Sequence, residues 1–146
     1  MKLTVIRGLP GSGKTYFANL CVGMGMGVNI ATDDYFMVDG QYCFDGDKLH
    51  QAHQWNIWRC EQLMKAGKDV IVSNTCTVWK EVKPYFELAQ KYQYKIDVME
   101  PGTQWQHDLN TCFEKNTHNV PFDVIQKMSD RWESTASIRA HIKDYV

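Results

Sequence analysis

Gly8-Leu9-Pro10-Gly11-Ser12-Gly13-Lys14-Thr15 satisfies every fixed position of the pattern G-x-x-x-x-G-K-[ST]. Each residue type in that pattern has a task in holding a polyphosphate. Gly8, Gly11 and Gly13 let the backbone turn and approach an anion where a side chain would intrude. The amides of the loop, which includes Pro10 and Ser12, point inward as an anion nest. The helix that opens at Gly13 adds the positive end of its dipole. Lys14 offers a point charge to β- and γ-phosphates, and Thr15 offers a hydroxyl to Mg²⁺. The expected ligand is a nucleoside triphosphate with Mg²⁺.

A second group of chemical residues follows at Thr32-Asp33-Asp34-Tyr35-Phe36. A carboxylate at that place can take the proton of an attacking hydroxyl, the general-base task in phosphoryl transfer. Asp33 is the first choice for that base. Asp34 is its rival, or else caps and orients its neighbours. A guanine-reading NKxD element is absent, and the strand Val70-Ile71-Val72 ends in Ser73-Asn74 with no acid. Small size and a helical end favour a kinase over a GTPase switch or a motor ATPase.

These residues need elements to hold them. Lys2–Arg7 reads as a buried strand, Lys14–Val22 as a helix, and Val28–Ala31 as a strand ending at the acidic turn. Leu49–Ala66 reads as a helix stopped by Gly67. Asp69–Ser73 is the third strand, Trp79–Tyr92 a helix and Tyr94–Met99 the fourth strand. Thr103 with Gln106 predicts a capping box for a helix reaching about Asn116. Pro121 opens another helix, and residues 134–145 form the last. Alternating strands and helices imply α/β architecture, with parallel βαβ units and helices on both faces of one sheet. The strandless last third is the place for a lid.

Composition bounds the rest. The 146 residues suit one domain, 1–146, and 44% apolar with 23% charged is ordinary for a globular protein. No apolar run approaches the roughly 20 residues of a membrane span. The apolar stretch at the start is too short for a signal peptide. The net charge of −1 argues against a large nonspecific grip on a phosphate backbone. Residues 1–30 carry Lys2, Arg7 and Lys14 and no acid, while five aspartates fall between 31 and 50. Cys21, Cys43, Cys60, Cys76 and Cys112 are odd in number and scattered, so no disulfide partner and a reducing, cytoplasmic setting are expected.

RGLPGSGKT (7–15), TDDYF (32–36), YCFD (42–45), AHQWNIWR (52–59), SNT (73–75) and KPY (83–85) stand in the order found in a family of P-loop kinases. Over about residues 3–133 the chain resembles the kinase-like domains of ubiquitin-ligase-binding proteins and the 5′-polynucleotide kinases of bacteriophages. The resemblance implies a three-layer, adenylate-kinase-like core with a short parallel sheet of about four strands and a helical lid near the C-terminus. It implies ATP and Mg²⁺ as cofactors and a nucleic acid or nucleotide hydroxyl as acceptor: a polynucleotide 5′-hydroxyl, a hydroxymethylated base in DNA, or a nucleoside or small metabolite. Asp33 matches the family's general base, and Lys14 and Thr15 match its loop residues. Family lids hold ATP with arginines. The matching stretch here is Phe113–His118, where Lys115 is the cation and Arg131 substitutes from the next helix. Relatives have an acid at Ser73 and asparagine at Cys76. An ATP-binding or hydrolysing switch is the alternative function, motivated by that lid and by Ser73.

Further residues read two ways. His53, Asn56 and Arg59 form either an acceptor-binding face near Asp33 or a packed, hydrogen-bonded core face. Asn74 and Thr75 stand where phosphate or acceptor contact is expected. The five tryptophans either stack bases or, as their helical spacing suggests, fill the core. Arg7 ends a strand with or without a ligand.

Overall fold

In a computed structural model, residues 1–143 are described. Four strands form the main sheet: β1 (Lys2–Arg7), β2 (Val28–Ile30), β5 (Val70–Asn74) and β6 (Lys95–Met99). Their order is β2-β5-β1-β6 and every pairing is parallel, with Leu3 opposite Val70 and Ile96, and Val28 opposite Val70. β1 and β5 are central, and their residues Leu3–Arg7 and Val70–Ser73 are all buried, as in strands covered on both faces. The other two strands, β3 (Met37–Val38) and β4 (Gln41–Tyr42), form an antiparallel hairpin. Its turn is Asp39-Gly40, both at positive φ (51° and 80°). An Asp-Gly turn of this kind matches strand twist, so the hairpin had a local signal.

The helices are α1 (Lys14–Gly23), α2 (Leu49–Lys65), α3 (Trp79–Lys91), α4 (Leu109–Lys115), α5 (Phe122–Asp130) and α6 (Thr135–Lys143). Side-chain alternation splits the core in two. Leu3, Val5, Val70, Val72 and Val98 pack with α2, α3 and α6, while Ile6 and Ile71 pack with Ala18 and Cys21 of α1. A third cluster, Leu9 with Cys112 and Ile125, joins the loop after β1 to α4 and α5. No helix among the described residues is long and apolar enough to cross a membrane. All five thiols are free, and only Cys43 is exposed.

Two helix expectations are corrected. The helix expected from Thr103 begins only at Leu109, and the capping box does not form. Thr103 Oγ1 instead donates to Ser12 O at 2.7 Å, Trp105 Nε1 donates to Gly11 O at 3.0 Å, and Gln106 Oε1 accepts from Gly102 N. Thr103 and Trp105 thus brace the glycine-rich loop and Gln106 closes the turn at Gly102, so Thr103 and Gln106 are lost to capping. Pro121 caps α5 from outside, the helix starting at Phe122. The final helix runs over Thr135–Lys143; the expected residues Asp144 and Tyr145 lie outside the described part. Tryptophan burial is also uneven: Trp58 is 57% exposed, and Trp55 lies beneath Arg59.

Candidate active site

The loop between β1 and α1 is shaped by two left-handed glycines, Gly11 (φ +78°) and Gly13 (φ +94°). Gly13 sits at the helix start with no side-chain cap, and no acid occupies the first turn of α1. The first amides of a helix lack intrahelical partners, so this end is suited to an anion. Ser12 Oγ is buried without a hydrogen-bond partner, and a Cβ on Gly8 would stand 2.5 Å from it. Lys14 Nζ donates to Gly8 O at 3.2 Å. Burial holds the Lys14 ammonium below its ordinary 10.5, and the Asp33 charge opposes that shift. A triphosphate fits this cradle, since it would supply the anion that the amides, Ser12 and Lys14 lack. Thr15 is exposed and stands outside the cavity wall described next. No cluster of three or more His, Cys, Asp or Glu suited to a metal occurs among the described residues. Magnesium carried on phosphate oxygens, its usual mode, would find the Thr15 hydroxyl as a protein ligand.

A cavity of about 360 Å³ opens beside the loop. Pro10 and Lys14 line it from the loop, and Thr32 and Asp33 from the 3₁₀ turn Thr32–Phe36 after β2. Ser73, Asn74 and Thr75 line it from the end of β5, and Glu81 from α3. His53 of α2 and Phe44 and Leu49 complete one side, while His118–Pro121, Val124, Met128 and Arg131 face them from the helical end. The cavity thus lies outside the carboxyl ends of parallel strands, where open α/β sheets place ligands.

Asp33 is held on both oxygens. Tyr42 OH donates to Oδ1 at 3.0 Å, and His118 Nδ1 lies 3.2 Å from Oδ2. The Tyr42 and His118 rings stack, with centroids 3.9 Å apart and planes at 13°. Burial and the neighbouring carboxylate push the Tyr42 phenol well above its usual range, so it remains a donor. The Asp33 side chain is still 49% exposed. Asn74 accepts from Thr32 N through Oδ1 and donates to Thr32 Oγ1, each at 2.9 Å. His53 Nδ1 is 3.1 Å from Thr32 Oγ1, and burial lowers its pKa from 6.5.

Not every expected residue reaches the cavity. Asp34 turns away to pair with Arg59 at 2.7 Å and to accept from Ala31 N. Asn56 is fully buried, donating to Tyr85 OH at 2.8 Å and accepting from Arg59 Nη2. Arg59 also donates to Ala31 O and covers the Trp55 ring at 3.9 Å. Acceptor contact by Asp34, Asn56 and Arg59 is therefore corrected to bracing of the acidic turn. At 3.6 residues per turn, steps of three spread these positions over about 120°, so only His53 reaches the cavity. Lys115 is corrected likewise: it is exposed, outside the cavity wall, with Nζ 4.6 Å over Trp105. Arg131 does line the cavity, its Nε donating to Thr77 Oγ1 at 2.9 Å, and that hydroxyl donates to Glu81. Arg7 is fully buried and bonded to Cys76 O, Thr77 O and Thr135 Oγ1, which leaves it no part in a ligand site. Sequence reasoning passed over Tyr42, His118 and Glu81 as site residues. Only Tyr42 had a local signal, lying just past the Asp-Gly turn.

A family model described as an AAA domain matches residues 3–135. NEDD4-binding protein 2 of Homo sapiens is 38% identical over 138 residues, covering 93% of this chain and 8% of that protein. The 2′,3′-cyclic-nucleotide 3′-phosphodiesterase of Rattus norvegicus is 27% identical over 131 residues, covering 86% of this chain and 30% of that protein. The chain thus spans less than a third of the length of these curated relatives. Among solved structures, a chain of the Pnkp1/Rnl/Hen1 RNA repair complex superposes with a TM-score of 0.68 at 17% identity, covering 99% of this chain and 46% of that one. A chain of another Pnkp1/Rnl/Hen1 complex structure gives a TM-score of 0.61 at 20% identity, covering 76% and 38%. At such identities the structural likeness speaks for the fold.

Proposed function

The chain belongs to the AAA domain family as a P-loop kinase-like domain, and from that premise we propose that it transfers the γ-phosphoryl group of ATP to a hydroxyl of a nucleic acid. The observation that carries this reading is that Lys14 and Asp33 line one cavity. In the proposed reaction the acceptor oxygen bonds to the γ-phosphorus, and the bond from that phosphorus to the β–γ bridging oxygen breaks. The acceptor proton passes to an Asp33 carboxylate oxygen. Lys14 and the loop amides hold phosphate charge, which grows on the leaving oxygen as that bond breaks. Mg²⁺, held by the Thr15 hydroxyl and phosphate oxygens, would neutralise further charge. Arg131 is the cation offered from the helical end, in place of a lid arginine. His53, Asn74 and Thr75 form the acceptor wall. The Pnkp1/Rnl/Hen1 RNA repair likeness supports a nucleic acid acceptor, and the free thiols suit a cytoplasmic setting.

A second reading is an ATP-hydrolysing switch. It is favoured by one arrangement: Lys115 stands away from the cavity, and Ser73 spends its hydroxyl on Asn29. Incubating γ-labelled ATP with single-stranded DNA, RNA, tRNA, hydroxymethylated DNA and nucleosides separates the two. The kinase reading expects label in at least one acceptor pool. Label confined to inorganic phosphate contradicts it and favours the switch.

A further inference from the structure

Asp33 is gripped by two segments, one nine residues on and the other at the helical end of the chain. Tyr42 comes from the hairpin and holds Oδ1; His118 comes from the loop between α4 and α5 and stands at Oδ2. That loop is built to present the imidazole. Asn116 donates to Phe113 O at 2.7 Å and accepts from Val120 N at 2.8 Å, closing the turn, and Asn119 takes a left-handed φ of 55° beside His118. The ring is then fixed in the other direction by its stack on Tyr42. Each carboxylate oxygen has two lone-pair sites, so one grip per oxygen leaves a site on each for an acceptor hydroxyl.

The same helical segment rests on the phosphate loop. A Cβ on Gly11 would lie 1.9 Å from Cys112 O of α4 and 2.8 Å from Asn116 N. The residues that close over the triphosphate site are thus continuous with the turn that carries His118. We propose that His118 is a positioning residue for phosphoryl transfer, fixing the Asp33 carboxylate from the helical lid; this rests on reading Asp33 as the base. The proton goes to Asp33, and the imidazole acts through it by removing rotation of the carboxylate.

His118→Gly removes both the stack and the nitrogen, whereas His118→Phe keeps a ring on Tyr42 and removes only the nitrogen. Both variants are assayed by label transfer to the acceptor that the wild type labels best. In each, kcat falls about 10²-fold, the usual effect of a misplaced reacting group. KM for ATP stays within about twofold, since ground-state binding is untouched. Added imidazole restores kcat to His118→Gly and not to His118→Phe, whose ring fills the slot. His118→Gly combined with Asp33→Asn is no slower than Asp33→Asn alone, because the two act as a unit. A His118→Phe variant with wild-type kcat overturns the proposal, as does additive loss in the double variant. Wild-type protein that labels no acceptor sinks the kinase reading and this role together, a different result from an active wild type indifferent to residue 118. The contact is read separately at fixed pH from the His118 Nδ1 nitrogen resonance, which moves in Asp33→Asn; an unmoved resonance overturns the pairing whatever the activity.

Discussion

Lys14 sets chemistry against stability within one side chain. Its ammonium has one carbonyl partner, Gly8 O, and burial disfavours its charge. Lys14→Met should therefore raise the thermal midpoint of the ligand-free protein while weakening ATP binding about 10–100-fold, the worth of one hydrogen bond to a charged group. Calorimetric unfolding and ATP titration check both halves; a lower midpoint contradicts the burial argument. His53 makes a pH prediction. Its folded pKa is lowered from 6.5 by burial, so above 6.5 its contribution to stability is complete. As pH falls through the lowered folded value that contribution is lost, because the unfolded chain takes the proton first. His53→Gln should flatten the acid limb of urea stability between those two values; an unchanged limb contradicts it. The residues legible from sequence were those whose chemistry fixes residue type and spacing, as Lys14 and the glycines of its loop do. Asn56 and Arg59 were not legible. Their partners Tyr85 and Asp34 lie 29 and 25 residues away, and nothing local says whether an amide faces a cavity or a phenol.

At the level of elements, the packing of α4 on the phosphate loop decides which glycine matters. Gly11 and Gly25 share a φ of 78°. Alanine at Gly25 would meet nothing within 4 Å, whereas at Gly11 it would strike Cys112 O. Gly25→Ala should cost about 1 kcal/mol from backbone conformation alone. Gly11→Ala should cost about 2–3 kcal/mol more from the clash. Urea unfolding of the two variants measures the difference, and equal costs contradict the packing of α4 on the loop. Other bonds to the same loop explain the misread helix. Thr103 and Trp105 bond to Ser12 and Gly11, 91 and 94 residues away, and such partners override a capping pattern. The parallel sheet was legible because buried central strands read as apolar runs between helices.

Across the whole molecule, Arg7 ties the sheet to the helical end. Its fork reaches Cys76 O and Thr77 O after β5 and Thr135 Oγ1 at the start of α6, and Trp132 covers it at 4.1 Å. Thr135 in turn donates to Glu100 at 2.6 Å. Arg7→Met strands the buried Cys76 carbonyl, while Thr77 O keeps Glu133 N, and should cost about 1–3 kcal/mol. Hydrogen exchange should show α6 losing protection before β5; uniform loss contradicts a local tie. Arg7→Lys should rescue little, since lysine lacks the planar fork.

The proposed base, Asp33, faces the same cavity as the phosphate loop but is no part of that loop, so base action and ATP binding should separate. Label transfer and ATP affinity measured side by side in Asp33→Asn test this most directly. The predicted result is transfer lowered about 10²–10⁴-fold with ATP affinity within a few-fold of wild type. Transfer at the wild-type rate would contradict it.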